Sequence, residues 1–111
     1  MHRRHRLRSP SDFRRATTSG RRLDAPVFAV YHVGSNDSVV RIGFSVGRHV
    51  GTAVVRNRIR RRLREAVRPW IDRLEPGDVV VVARPDAARA SVDELGRAFA
   101  TVVTGAGLVR R

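Results

Sequence analysis

Apolar residues recur with helical spacing along residues 51–70, which predicts one amphipathic helix. On a wheel of about 100° per residue, one arc holds the apolar side chains Val55, Ile59, Leu63, Ala66 and Val67. The opposite arc holds the polar side chains Asn57, Arg58, Arg60, Arg61 and Arg64. Arg56 and Arg62 flank the apolar arc. We therefore expect one side of this helix to dock on a core and the other side to form a dense guanidinium surface.

Two strands are predicted before this helix. Residues 27–33 are rich in β-branched and aromatic side chains, and residues 39–46 alternate between apolar and small or polar ones. In the second segment the core-facing set is Val40, Ile42, Phe44 and Val46. The other set, which is free to face solvent or a ligand, is Val39, Arg41, Gly43 and Ser45. Because only a short turn at 34–38 separates the segments, they are predicted to form an antiparallel hairpin.

Capping and breaking residues place the helix ends. Ser9 can cap a short first helix, and Gly20 is a suitable stop for it. Thr52 can cap the arginine-rich helix, and Pro69 disfavours helical geometry at residue 68. The first two helices are therefore expected at about residues 9–19 and 52–68.

The last third of the chain adds one strand and one helix. Residues 79–83 are apolar at both parities, which is typical of a strand covered on both faces. Ser91 and Glu94 form a capping box that opens a final helix. The predicted order is α-β-β-α-β-α, an α+β sandwich with one mixed sheet. We expect a single domain at 9–103, a mobile basic arm at 1–8 and a frayed tail at 104–111.

The charge is large and unevenly placed. The chain has 111 residues, a formal net charge of +13 and arginine at all 23 Lys/Arg positions. Residues 1–64 carry the whole net charge, whereas residues 65–111 hold seven arginines and seven acids. Glu65 is the only acid between Arg41 and Pro69, so little relieves the repulsion within the arginine-rich helix. A solvated charged face is the plainer interpretation, but a polyanionic partner would offset this repulsion.

Several protein classes fit this sequence poorly. With no cysteine there is no disulfide framework and no thiolate metal site. The basic N-terminal segment is not followed by the apolar stretch of a secretory signal. No apolar run is long enough to span a bilayer. We therefore expect a soluble, cytoplasmic protein with no membrane partner.

An ordered motif surrounds the arginine-rich helix. Gly51, Ala53 and Val54 precede Arg56-Asn57-Arg58 and a further basic run. This arrangement closely resembles the protein subunit of bacterial ribonuclease P. Matches in the same order and spacing occur at Arg6-Leu7, Asp12-Phe13, Gly20, 28–31 and 78–84. The resemblance covers about residues 6–103.

The resemblance implies an activity and a division of labour. The family's protein binds a large catalytic RNA, and together they remove the 5′ leader from precursor tRNA by endonucleolytic cleavage. The RNA carries the catalysis through bound Mg²⁺, so we expect no catalytic residue and no metal bound by the protein alone. The implied partners are the ribonuclease P RNA and precursor tRNA, with no obligate protein partner. The family fold also has a left-handed β-α-β crossover, which the general handedness rule would not predict.

The resemblance also implies two sites. The RNA-binding helix would use Arg56, Asn57, Arg58, Arg60, Arg61, Arg62 and Arg64. The cleft for the single-stranded leader, formed elsewhere by the first helix and the sheet, would use Phe13, Arg14, Thr17, Tyr31, Arg48 and Thr52. Stacking a base on an aromatic ring contributes about 1–3 kcal/mol and tolerates any base. Without the resemblance, an ordinary core position would be the plainer interpretation of Phe13 and Tyr31.

Three positions depart from the family's usual pattern. Thr17 stands where a second phenylalanine is common. Gly47-Arg48-His49 stands in place of a frequent Ser-Lys-Lys, and Thr52 in place of asparagine. We therefore expect the cleft to depend less on stacking and more on charge.

No independent active site is apparent in the sequence. The histidines at 32 and 49 are isolated, and no metal-ligand spacing occurs. The close acid pairs are explained by a turn and by a helix start. The expected work of the protein is electrostatic: it lowers repulsion between two RNAs, raises substrate and metal affinity, and binds less tightly as salt rises.

Two other functions remain open. A ribosomal or general RNA-binding protein without an enzyme role would fit the charge and the arginine-rich helix equally well. A free-standing nuclease is the third possibility, and it is disfavoured by the missing site. The ordered motifs and the aromatic residues favour a ribonuclease P subunit.

Overall fold

The computed structural model describes residues 5–7, 9–35 and 37–110. The elements are α1 (Pro10–Ser19), β1 (Arg21–Asp24), β2 (Phe28–Gly34), β3 (Val40–Ser45), α2 (Ala53–Val67), β4 (Gly77–Ala83) and α3 (Val92–Gly105). Short 3₁₀ segments lie at Arg48–Val50, Arg68–Arg73 and Pro85–Arg89. The predicted α+β class with one mixed sheet is confirmed.

The strand order differs from the predicted one. The four strands are arranged β1-β2-β4-β3, with β2 antiparallel to β4 and β3 parallel to β4. The predicted hairpin between β2 and β3 is therefore wrong, because β4 lies between them. Most of β4 is buried, and the centre of the sheet is the place where such an apolar strand loses most contact with water. The β3–α2–β4 unit is thus a crossover between parallel neighbours, and its left-handedness stays a prediction.

The edge strand β1 is absent from the predicted elements. Only Leu23 of its four residues is apolar, so no alternation marks it as a strand. Its backbone pairs with β2 in a register that places Arg22 opposite Tyr31. Backbone pairing with β2 and the packing of Leu23 against the main core hold this strand in place.

The main core lies on the side of the sheet that α2 and α3 cover. Phe28, Val30, Val79 and Val81 are buried there. The predicted apolar arc of α2 is confirmed, since Ile59, Leu63, Ala66 and Val67 are buried and Val55 packs against the same cluster. α3 contributes its buried side chains Leu95, Phe99 and Val103. The outer side of α2 is consequently turned toward solvent.

Two of the three predicted caps are confirmed. The Thr52 hydroxyl accepts from the Val55 amide at 3.3 Å. Ser91 and Glu94 make both hydrogen bonds of a capping box. Ser9 occupies the N-cap position of α1, but its hydroxyl is hydrogen-bonded to that of Ser11 instead.

A second, smaller cluster lies under α1 on the other face of the sheet. Leu7, Ala16 and Val80 are buried in it, and Phe13 and Tyr31 pack against them. This face of β4 explains why the strand is apolar at both parities. The prediction of a strand covered on both sides is confirmed.

Asp78 fastens α1 to the sheet. It is the one charged residue buried within the described ranges, at 5% exposure. Its Oδ2 lies 3.3 Å from Nη2 of Arg15 on α1, and its Oδ1 lies 3.9 Å from Nη1 of Arg41 on β3. Two arginines thus compensate the buried carboxylate. Replacing either arginine by a neutral residue would leave the carboxylate less compensated and would lower the stability of the fold.

Both chain ends are more ordered than predicted where the structure describes them. The Leu7 amide donates to the Ile42 carbonyl at 3.0 Å, which ties part of the predicted mobile arm to the β3 edge. Residues 1–4 and 8 of that arm lie outside the described residues. The prediction of a frayed tail is wrong for residues 104–110. Helix α3 continues to Gly105, and the Glu75 amide donates to the Leu108 carbonyl at 2.7 Å.

The Phe13 ring packs directly on Gly43. A methyl group on Gly43 would lie 2.8 Å from Cε1 of Phe13 and closer still to its Cζ. The absence of a side chain at this strand position therefore allows the ring of α1 to approach the sheet. The pose of Phe13 depends on this close approach.

We predict that Gly43→Ala lowers the free energy of unfolding by about 1–3 kcal/mol, because overpacking forces the Phe13 ring or α1 to move. Gly34→Ala is the matched control, since a methyl group there meets nothing within 4 Å. Urea unfolding of both variants measures the difference. Equal stabilities would contradict the close packing of Phe13 on β3.

Candidate nucleic-acid interface

The outer face of α2 is a surface of uncompensated positive charge. Asn57, Arg58, Arg61 and Arg64 are exposed, and Arg56, Arg60 and Arg62 are half-buried. No described carboxylate lies within ion-pair distance of the arginines at 56–64, and Glu65 pairs instead with Arg68 at 3.1 Å. The described structure thus provides no acidic partner for this charge.

Two polar contacts distinguish individual residues of this helix. Nη1 of Arg60 donates to Oδ1 of Asn57 at 3.0 Å, so the asparagine holds that guanidinium in place. Nη1 of Arg62 donates to the Ala90 carbonyl at 3.3 Å, which ties α2 to the segment before α3. Arg62 was predicted to contact RNA, and at least one of its donors has a structural role.

Phe13 and two arginines of α2 line one cleft of about 220 Å³. The cleft is lined by Arg6, Leu7, Phe13, Ile42, Gly43, Phe44, Arg60 and Arg64. The predicted leader cleft lies apart from the arginine-rich helix. The structure instead brings Phe13 next to Arg60 and Arg64, so the two predicted sites share a border.

Tyr31 lies on the same face of the sheet as Phe13. Across the sheet, Arg22, Tyr31, Val80 and Gly43 are successive partners in one row. The Tyr31 ring is half-buried, and the guanidinium carbon of Arg22 lies 5.8 Å from its centroid. The aromatic ring therefore already has a cation beside it.

Asp24 pairs with two arginines, of which Arg22 lies beside Tyr31. Nε of Arg22 lies 3.1 Å from its Oδ1, and Arg84 forms an ion pair with the same oxygen. Arg22 is not among the predicted site residues, because β1 has no strand signal in the sequence. Arg84 lies within a matched segment, but its ion pair with Asp24 depends on the pairing of β2 with β1 and β4, which local pattern does not reveal.

Tyr31 does not line the cleft that Phe13 borders, and the other four predicted cleft residues also lie outside it. The Thr17 hydroxyl donates to the Phe13 carbonyl at 3.0 Å, so it faces its own helix. Arg14 is exposed on α1, Arg48 is exposed in the 3₁₀ segment before α2, and Thr52 caps α2. None of the four is among the described residues that line the 220 Å³ cleft.

The described side chains offer little for acid–base or metal chemistry. His32 is half-buried, and desolvation lowers its pKa, which favours the neutral form of the ring. Within 5–7, 9–35 and 37–110, no three His, Asp or Glu side chains form a group able to hold a metal ion. The described helices also include none with the length and apolarity needed to cross a membrane.

Relatives of known type are similar over nearly the whole chain. A family model described as Ribonuclease P matches residues 1–107. The chain is 38% identical to the ribonuclease P protein component of Roseiflexus castenholzii, covering 99% of this chain and 92% of that one. It is 44% identical to the component of Gluconacetobacter diazotrophicus, over 89% and 82% of the two chains.

Solved structures agree with this relationship. The ribonuclease P protein of Staphylococcus aureus superposes with a TM-score of 0.84 at 27% identity, covering 94% of this chain and 96% of that one. The protein of Thermotoga maritima superposes with a TM-score of 0.81 at 25% identity, over 92% and 97%. The chain therefore belongs to the ribonuclease P protein family, as a protein component of that endoribonuclease.

Proposed function

We propose that this protein binds the RNA subunit of ribonuclease P through the outer face of α2 and holds the 5′ leader of precursor tRNA beside Phe13 and Tyr31. One observation carries the proposal. An arginine surface without described acidic partners continues, through Arg60 and Arg64, into a cleft that an aromatic ring borders. The negative charge of a phosphate backbone matches the arginine surface. The flat face of an unpaired base matches the aromatic ring beside the cleft.

The proposed role of α2 is electrostatic positioning. Guanidinium groups bind phosphate oxygens with two parallel hydrogen bonds, which fixes orientation as well as charge. The helix is already packed on the core through its apolar arc, so little conformational freedom beyond that of the arginine side chains would be lost on binding. The protein would thereby lower the repulsion between the catalytic RNA and its RNA substrate.

The proposed role of Phe13 on α1 and Tyr31 on the sheet is to stack unpaired bases of any sequence. Phe13 and Tyr31 are half-buried, which leaves part of each ring accessible. Thr17 adds no ring, and its hydroxyl is turned to its own helix. Arg22, beside Tyr31, supplies a positive charge where a second phenylalanine ring is lacking. This fits a cleft that depends less on stacking and more on charge.

We propose that Mg²⁺ is bound mainly by the RNA subunit. The contribution of the protein is indirect: by neutralising phosphates it lets two RNAs approach around ions that the RNA holds. We also propose that the protein acts in the cytoplasm, where precursor tRNA is processed in bacteria.

We predict that Arg58→Ala combined with Arg61→Ala weakens binding to a ribonuclease P RNA and leaves the fold intact. Each lost phosphate contact should lower the slope of log affinity against log salt by about 0.7–0.9. Titrations at four salt concentrations measure that slope. The double variant Arg89→Ala with Arg97→Ala removes the same charge from exposed positions elsewhere and should keep the slope. If the slope is unchanged in the α2 variant, this face does not bind the RNA.

We predict that Tyr31→Ala weakens binding of precursor tRNA to the reconstituted enzyme more than binding of mature tRNA. Loss of one stacked base would cost about 1–3 kcal/mol. Tyr31→Phe keeps the ring and should retain the preference for precursor. Equal losses for the two tRNAs would show that Tyr31 is a packing residue only.

A further inference from the structure

One large apolar side chain of α2 is exposed to solvent and does not pack in the core. Val54 is 68% exposed, and it is the only large hydrophobic side chain so exposed within the described ranges. It belongs to the first turn of α2, whereas the neighbouring Val55 packs against the core. Helical spacing places Val54 on the same face as Asn57, Arg58 and Arg61. An apolar side chain thus lies within the arginine surface.

A groove of about 450 Å³ opens beside this side chain. It is lined by Val54, Asn57, Arg60, Arg61 and Arg64. Its volume is within the range of about 300–1,000 Å³ that is usual for sites that take small organic ligands. The groove therefore has room for a nucleoside, with one apolar contact and three guanidinium groups around it.

The amide of Asn57 has a defined orientation in this groove. Arg60 can only donate hydrogen bonds, so the atom that it contacts at 3.0 Å must be the carbonyl oxygen of Asn57. The NH₂ group of Asn57 then points away from Arg60 and has no partner among the described side chains. It is a donor suited to a carbonyl or ring nitrogen of a base.

From these contacts we propose that the groove binds one unpaired nucleotide of the RNA that α2 contacts, an inference that rests on the proposed function. The base would cover Val54 and lie against the guanidinium planes, while the phosphates on either side would pair with Arg58 and Arg61. Asn57 would donate to the base edge and would also keep Arg60 in place.

An unpaired nucleotide fits this surface better than a regular duplex. A duplex presents phosphates and 2′-hydroxyls to a helix that lies across it, and Val54 would then lose water without gaining an apolar partner. An unstacked base offers an apolar face and accepts stacking on arginine. An acidic peptide would satisfy the charge, but it would leave the valine and the amide without matching groups.

The test compares two short RNA probes. One is a fully paired hairpin, and the other is the same hairpin with a single-nucleotide bulge of A, C, G or U. We expect the wild-type protein to bind at least one bulged hairpin about 5–10-fold more tightly. Val54→Ala should abolish this preference without changing the salt slope, because the lost contact is apolar and releases no counterion. Val54→Ile keeps the apolar contact and should retain the preference.

The Arg61→Ala variant separates the failure of this inference from failure of the proposed function. It should weaken binding to both probes and lower the salt slope by about 0.7–0.9. If the wild-type protein binds both probes equally and Val54→Ala changes neither affinity, the nucleotide site is overturned. In that case a reduced salt slope for Arg61→Ala would still support α2 as the RNA-binding surface. An unchanged slope for Arg61→Ala would overturn both. Loss of self-association in Val54→Ala with unchanged RNA binding would assign the groove to a second copy of the chain, and would also overturn the inference.

Discussion

The docking of α2 through one narrow apolar arc is the constraint on which the functional surface depends. Ile59 and Leu63 are fully buried against the sheet and α3. A helix has a fixed angle between successive residues, so burying this arc leaves the outward residues no choice of direction. The docking of the helix therefore directs the arginines on its outer side toward solvent, and the hydrophobic effect supplies most of the energy for this. Hydrogen bonds then orient single guanidinium groups, since Arg60 donates to Asn57 and Arg62 donates to the Ala90 carbonyl.

This arrangement resolves an apparent conflict between stability and charge. Six arginines within residues 56–64 repel one another, and the described structure provides no acid to relieve that repulsion. The core contacts on the opposite side of the same helix hold it folded despite the cost. Under the proposed function, bound phosphates would relieve this repulsion, and that relief would contribute to the free energy of binding.

Much of the fold was predictable because it depends on local chemistry. The α2 arc, the Thr52 cap and the Ser91–Glu94 capping box follow from periodicity and from hydrogen-bonding groups a few residues apart. The insertion of β4 between β2 and β3 was not predictable in this way, since it depends on pairing residues that are 37 to 55 positions apart in sequence. The same applies to Arg22 beside Tyr31 and to Phe13 beside Arg60, where partners far apart in sequence meet only after the sheet forms.

Family membership decides what charge alone left open. A ribosomal or general RNA-binding protein would show the same arginine-rich helix, and the matches over nearly the whole chain identify a ribonuclease P component instead. The structure adds that the arginine-rich helix and the aromatic cleft meet at Arg60 and Arg64. Under the proposed function, a change at either arginine should therefore affect contacts with both RNAs, whereas changes at Arg58 or Tyr31 should affect contacts with one.

The central claim is that the protein assists an RNA catalyst through binding and has no active site of its own. The most direct test is cleavage of precursor tRNA at low Mg²⁺ by a bacterial ribonuclease P RNA, with and without this protein. The account predicts that the protein strongly accelerates accurate 5′ cleavage by the RNA and cleaves nothing when the RNA is omitted. Failure to enhance cleavage, or cleavage by the protein alone, would contradict it.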